Sequence, residues 1–350
     1  MDKQEKKIVI GVVGLGLMGS SIITALLISG YEVVALAPIS EDLNAAPDRV
    51  AHYLNESYKR QLIFNCVEDY LNKVTFTEEY SDLKSCGLIM ECVTENIDIK
   101  KLVYQKIEQH ILADTILTTN TSAIPIDFLK EHVQHPNRFI GVHWAEPAFT
   151  TKFLEIVCSA ETDVAIAENL YKIASTWGKE PTLLRKDIRG FITNRIMYAM
   201  YREAFYLVEN GYATIEDVDR SCRNDGGHWM PFCGLFRYMD ITGLQAYYHV
   251  MKDLFPTLNN QTEVPSLIKQ IAENGGAGIT NGKGFYNYTK QEAAEWEKAY
   301  EEFAFDIREL SNKYPINLVE NRLDAINKNQ LLVQIKEVEK NAPITEDNSI

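Results

Sequence analysis

One run of six residues, Gly14-Leu15-Gly16-Leu17-Met18-Gly19, constrains this 350-residue chain more than any other. It has the form G-x-G-x-x-G. Residues 8–13 before it are apolar and of buried-strand length. Residues 20–29 after it read as a helix stopped by Gly30, and residues 31–36 as a second strand. The six letters alone are a weak signal. Set between strand, helix and strand they become a strong one, for a turn that binds a dinucleotide. Gly14 allows the turn, Gly16 lets backbone approach a pyrophosphate, and Gly19 lets helix and strand pack closely. With Leu17 and Met18 they make the expected cofactor loop, and the start of the helix offers N–H groups to phosphate.

One expected part is absent. A site that prefers NAD usually carries Asp or Glu at the end of the second strand, accepting from the adenosine ribose. This chain reads Leu36-Ala37-Pro38-Ile39-Ser40, and no arginine follows at once to hold a 2′-phosphate. Ser40, Glu41 or Asp42 could reach the ribose instead. NAD is the expected cofactor, with NADP open.

Beyond the loop, residues 41–70 read as a helical excursion and 74–77, 88–93 and 115–118 as strands, with a helix at 97–109. A helix at 163–177 and a strand at 181–184 follow. Strands alternating with helices predict a Rossmann-type, doubly wound, mainly parallel sheet. Ligands bind beyond the carboxyl ends of such strands, where Glu95, Asn96, Asn120 and Ser122 fall. Each alone could equally be a helix cap or turn former. Residues 186–190 read as a hinge, after which helices dominate, at 191–209 and 214–224 with a loop at 225–228. The expected division is a dinucleotide-binding domain over 1–187, an all-helical domain for substrate and dimerisation over 188–289, and a helical extension over 290–350. In that extension Trp296, Tyr300, Phe303, Ile307 and Leu310 recur at helical spacing, an apolar face that must dock on the body or on a partner. A further helix is expected at 318–338, and a frayed tail at 341–350.

Between 138 and 157 two apolar runs flank a Pro-containing turn. The first ends on His143, and the second carries Glu155 between Leu154 and Ile156. A carboxylate in an apolar run is costly unless paired, and an imidazole on a neighbouring strand is a natural partner. Such a pair makes a general base. Taken without the rest of the chain, His143 could equally be a satisfied core histidine.

The chain carries 49 acidic and 35 basic residues, a formal net charge of −14, which disfavours a general nucleic-acid role but leaves room for a local basic pocket. Its six cysteines form no CxxC pair and no metal-ligand spacing, as expected of scattered buried thiols in a reducing cytosol. Lys6 and Lys7 precede a long apolar run that mimics a signal anchor, but its glycines break a spanning helix. No membrane segment is expected, and the cytoplasm is the expected location.

Taken in order, these pieces resemble the L-3-hydroxyacyl-CoA dehydrogenase family over residues 8–289. The resemblance rests on the glycine loop, Glu95-Asn96-Ile97-Asp98-Ile99-Lys100-Lys101, Thr119-Asn120-Thr121-Ser122, and residues 135–143 ending in Gly-Val-His. It continues through Phe153-Leu154-Glu155-Ile156-Val157, Gly190-Phe191-Ile192-Thr193-Asn194-Arg195 and residues 282–288. It implies hydride transfer between NAD and the 3-hydroxyl carbon of a 3-hydroxyacyl-CoA, in fatty acid metabolism, by a homodimer. It implies that His143 is the general base, that Glu155 orients it, and that Ser122 and Asn194 bind the reacting oxygen and its neighbouring carbonyl. Glu95, Lys100 and Asn120 would line the cofactor side.

The departures fall in the active-site loop. Where the family commonly reads His-Phe-Phe-Asn-Pro, this chain reads His143-Trp144-Ala145-Glu146-Pro147. A substrate-facing Glu146 would favour the charged imidazole, or bind a cationic or hydroxyl-rich substrate; facing solvent it would do neither. A free, polar or cationic 3-hydroxy acid, as in gulonate or carnitine dehydrogenases, therefore stands as the alternative substrate. A non-catalytic dinucleotide-binding protein stands as the alternative of another class.

Overall fold

The computed structural model describes residues 8–328. Eight strands form one sheet: β1 (Ile10–Val13), β2 (Val33–Leu36), β3 (Val74–Thr77), β4 (Leu88–Glu91), β5 (Ile116–Thr119), β6 (Phe139–Trp144), β7 (Leu154–Cys158) and β8 (Thr182–Leu184). Their spatial order is β3-β2-β1-β4-β5-β6-β7-β8. Every neighbouring pair is parallel except β6 and β7, which run antiparallel. The strand order reverses direction at β1, next to β4, and ligands of open parallel sheets gather at such a switch point.

Helices cover both faces: α1 (Leu17–Ile28), α2 (Ser40–Lys59), α3 (Val67–Leu71), α4 (Ile97–Glu108), α5 (Ile126–Leu129) and α6 (Val164–Ser175). Ile22 and Leu26 of α1, Val50 and Leu54 of α2, and Leu170 of α6 join one apolar cluster with Val12 and Ile156. Val103 and Ile107 of α4, with Ile126 and Leu129 of α5, join a second with Val13, Phe139 and Val157. The central strands are buried on both sides, which explains why they read as continuous apolar runs and do not alternate. The N-terminal run that imitates an anchor is this buried β1 and α1.

The helix after the glycine loop begins three residues earlier than its apolar pattern predicts, at Leu17, because the loop itself supplies its first turn. The excursion at 41–70 is two helices separated by a turn, not one. Beyond β8 the chain is helical: α7 (Thr193–Glu209), α8 (Ile215–Asn224), α9 (Gly226–Thr242), α10 (Leu244–Leu254), α11 (Ser266–Glu273) and α12 (Lys290–Lys313). The loop predicted at 225–228 is a correction: helix resumes at Gly226, and the break comes instead at Gly234, whose φ of 65° is left-handed.

By contacts, residues 8–210 and 259–308 form one compact unit, and 211–258 with 309–328 another. Both α7 and most of α12 thus belong with the sheet. Residues 318–328 are helical; the rest of the helix expected to 338, and the tail, lie outside the described residues. Most of the apolar face of α12, expected to dock on the body or on a partner, does not pack on the body. Trp296, Tyr300, Phe303 and Leu310 stay exposed, while Ala304 and Phe305 are buried. The six cysteines are free, with Cys66 and Cys222 exposed where burial was expected. No helix of the described residues is long and apolar enough to cross a membrane.

Candidate active site

The glycine loop ends β1 at the switch point, and each glycine has a distinct steric reason. Gly14 has φ +97°, and a Cβ there would lie 2.9 Å from the backbone of Cys92 and Val93. A Cβ on Gly19 would collide with the carbonyl of Gly14. Around Gly16 a Cβ would meet nothing within 4 Å, so the loop leaves open space over its middle residue. That space belongs to a cavity of about 680 Å³ lined by Gly14, Gly16, Leu17 and Met18 on one side and by Glu95, Asn120, Ser122 and His143 on the other. The first helical backbone bond of α1 runs from Ser20 N–H to Gly16 carbonyl, so the N–H groups of residues 17–19 precede it. A glycine cradle, open space and helical N–H groups suit a dinucleotide pyrophosphate.

Ala37 is buried at the end of β2. Of the three polar residues after it, only Asp42 lines the cavity, and Arg49 stands 3.7 Å from its carboxylate. Of the three candidates for the ribose, Asp42 alone reaches the cavity wall.

The antiparallel pairing of β6 and β7 sets His143 directly opposite Glu155. Nδ1 of His143 lies 2.8 Å from Oε2 of Glu155. A carboxylate only accepts, so Nδ1 carries the proton and Nε2 is left to accept another. The other oxygen of Glu155 accepts from the N–H groups of Ile192 (3.1 Å) and Thr193 (3.0 Å), where α7 begins. Burial would raise the Glu155 carboxyl. The His143 hydrogen bond, the Thr193 N–H, the imidazole's charge and the Ile192 N–H together hold it below its ordinary value. Phe153 and Phe191 pack on the imidazole, with ring centroids 5.2 and 5.7 Å away.

Around this pair, Asn120 accepts from the Trp144 N–H at 2.8 Å, tying the end of β5 to that of β6. Glu95 accepts from the Thr121 hydroxyl and, at 3.2 Å, from the Ser122 N–H. Asn194 does not line the cavity; its side-chain amide donates to the Ser122 carbonyl at 2.8 Å. Ser122 and His143 thus face the cavity, with Glu155 behind the imidazole and Asn194 one hydrogen bond from Ser122.

Besides Asn194 and Glu155, two of the polar site candidates lie off the cavity. Lys100 is 1% exposed and lies under the cleft, not on it. Its ammonium bonds both oxygens of Glu91, at 2.8 and 3.0 Å, and stands 3.3 Å from Glu95. Tyr104, Thr119 and the Val93 N–H also donate to the buried Glu91 carboxylate. Sequence reasoning missed Glu91, although a carboxylate inside the apolar run 88–93 carried the same signal that exposed Glu155.

Glu146 is the second. It does not line the cavity, and its neighbours are Ser21 of α1 and Tyr53 of α2. Burial pushes its carboxyl up to about 7, against a lowering hydrogen bond from Ser21. Glu146 is nonetheless exposed, with more than a third of its surface open to solvent. A carboxyl raised by folding favours the folded state below its ordinary value of 4.5, and that benefit is lost as pH rises through about 7. Glu146→Gln escapes that loss. It is expected to be more stable than the native protein by about 1 kcal/mol at pH 8, discounted for solvent screening, and equal to it below pH 5. Thermal melts at both pH values check this; parallel behaviour of the two proteins would mean a fully hydrated carboxyl. Among the described residues no group of His, Cys, Asp and Glu is placed to hold a metal.

Comparison with known proteins agrees with this geometry. Residues 9–188 match the family model described as 3-hydroxyacyl-CoA dehydrogenase, NAD binding domain, and residues 190–288 match its C-terminal domain. The chain is 32% identical to the 5-formyl-3-hydroxy-2-methylpyridine 4-carboxylate 5-dehydrogenase of Mesorhizobium japonicum, over 81% of this chain and 91% of that one. It is 30% identical to a probable 3-hydroxybutyryl-CoA dehydrogenase of Deinococcus radiodurans, over 79% and 99%. A crystal structure of a 5-formyl-3-hydroxy-2-methylpyridine 4-carboxylic acid 5-dehydrogenase superposes with a TM-score of 0.79 at 29% identity, covering 86% of this chain and 97% of the other. With both family domains matched in order and the glycine cradle intact, the chain is an NAD-dependent oxidoreductase and belongs to the 3-hydroxyacyl-CoA dehydrogenase family.

Proposed function

We propose that the protein transfers a hydride between the 3-hydroxyl carbon of a 3-hydroxyacyl-CoA and NAD, with His143 as the base. One observation carries this reading: the imidazole, bonded through Nδ1 to a buried carboxylate, shares its cavity with the glycine loop. Bound NAD supplies the hydride acceptor or donor. His143 Nε2 takes the hydroxyl proton during oxidation and returns it during reduction. Glu155 fixes the tautomer and steadies the imidazolium. Ser122 stands beside the base to hydrogen-bond the reacting oxygen, and Asn194, bonded to the Ser122 carbonyl, holds that turn in place.

A free 3-hydroxy acid is the second reading; one observation favours it and another is compatible with it. One is the similarity to a dehydrogenase of a pyridine carboxylate. The other is a cleft of about 370 Å³ lined by Asn194, Arg189, Arg195 and Arg202. None of these guanidinium groups pairs with a carboxylate among the described residues, in a chain of net charge −14. Such a cleft suits an anionic substrate, whether through a carboxylate or through the phosphates of a thioester's carrier.

A substrate panel separates the two. Acetoacetyl-CoA with NADH should be reduced in the first case. Oxidation of free 3-hydroxy acids with NAD, and none of thioesters, would replace it with the second. Tight NADH binding without turnover of either class would leave a dinucleotide-binding protein.

A further inference from the structure

The chain from Ala145 to Phe153 joins the two strands that carry His143 and Glu155, yet it belongs to neither. Its carbonyls cannot join the sheet ladder. Ala148 and Thr150 are buried, at 0% and 1% exposure, so their carbonyls need donors from elsewhere. Two cations provide them. The Lys179 ammonium donates to the carbonyls of Ala148 and Thr151. The Arg308 guanidinium donates to the carbonyl of Thr150 at 2.8 Å. Lys179 also lies 4.8 Å from the ring centroid of Trp144, the residue after the base. Neither cation pairs with a carboxylate among the described residues.

Arg308 comes from α12, beyond residue 288 where the family domains end. One helical turn, Ala304, Phe305 and Arg308, makes the contact. Phe305 packs on Phe149 of the loop, with centroids 6.1 Å apart. Arg60, just past the end of α2, lies over Phe305 and reaches Glu302 at 3.5 Å. Gly178 leaves room for the guanidinium: a Cβ there would stand 2.8 Å from it. From Thr150 the connection to the base is short. The Thr151 hydroxyl accepts from the Phe153 N–H at 3.1 Å, and Phe153 packs edge-on against the imidazole.

We infer that Arg308 is a positioning residue for the reaction: with Lys179 it clamps the 145–153 loop by its carbonyls, and through Phe153 it sets the attitude of the His143 ring. The extension outside the family domains is thereby part of the scaffold of the active site. Burial lowers both cations from their ordinary values, and Lys179, which also faces Arg308, falls well below. Both groups take backbone carbonyls of the loop as their hydrogen-bond acceptors, with the Trp144 ring beside Lys179.

The inference rests on His143 as the base, so its test has a readout free of that reading. In full-length Arg308→Met, amide hydrogen exchange of the Thr150 and Thr151 N–H groups, both bonded to the Pro147 carbonyl, should quicken by about tenfold. The kcat for the 3-hydroxy substrate should fall by about tenfold or more, with KM for NAD within about twofold. Arg308→Lys, which keeps a donor of similar reach, should recover most of both losses. Unchanged exchange in Arg308→Met overturns the clamp. Faster exchange with unchanged kcat overturns the positioning role. Should Arg308→Met fail to fold, Arg308→Gln carries the same comparison with the same two overturning results. Faster exchange in a protein whose native form turns over no 3-hydroxy compound would refute the proposed function and leave the clamp standing.

Discussion

His143→Gln is expected to lower kcat by about a thousandfold while NADH binds as before, because the variant loses proton transfer and keeps the glycine cradle. The size follows from the geometry. Nδ1 is committed to Glu155 at 2.8 Å, so Nε2 alone can accept the hydroxyl proton. Glu155→Gln should be nearly as damaging, since an amide that donates to Nδ1 forces the proton onto Nε2, where it blocks acceptance. The two residues act as one unit, so the double variant should be little worse than either single one. Steady-state kinetics with NADH fluorescence titration checks this. A His143→Gln enzyme within tenfold of the native rate would mean that another group moves the proton.

The largest loss of stability is expected from Lys100→Met. Lys100 and Glu91 are 1% and 0% exposed, and the carboxylate has no route to water. Removing the ammonium leaves a buried charge held only by Tyr104, Thr119 and the Val93 N–H, at a cost of about 3–5 kcal/mol. Replacing both charges, with Glu91→Gln added, should recover part of that, since the unpaired ion is the main penalty. Urea unfolding of the two variants decides it; a loss below about 1 kcal/mol for Lys100→Met would mean that the carboxylate finds water or a proton instead. The Glu95 carboxylate stands above this pair, 3.3 Å from the ammonium, so the same variant should also weaken cofactor binding.

Much of this could be read before any coordinates. The glycine spacing and alternating strands specify a mainly parallel sheet and the loop that ends its first strand, because each needs only local sequence; the strand order does not follow from them. The His143–Glu155 pair was legible because a carboxylate among Leu154 and Ile156 demands a partner. Long-range packing was not. Lys100 looks like a cleft residue from its place after Glu95, but the helical turn between them points its side chain at Glu91 beneath. The aromatic stripe of α12 suggested one docking face, whereas Ala304, Phe305 and Arg308 make the contact. Small and charged residues carry little hydropathy signal, and the Thr150 carbonyl that calls for Arg308 has none.

The single reversal in the sheet has a consequence for how this molecule can change. Adjacent positions of a strand look in opposite directions. One residue gained or lost inside β7 would turn Ile156 or Leu154 toward the imidazole and drive the carboxylate into the apolar layer behind it. The His143–Glu155 pairing is thus written in the parity of a strand, a digital property that cannot drift by degrees. The side chains around the mouth of the cavity have no such lock, and can change one at a time while that pairing stays fixed.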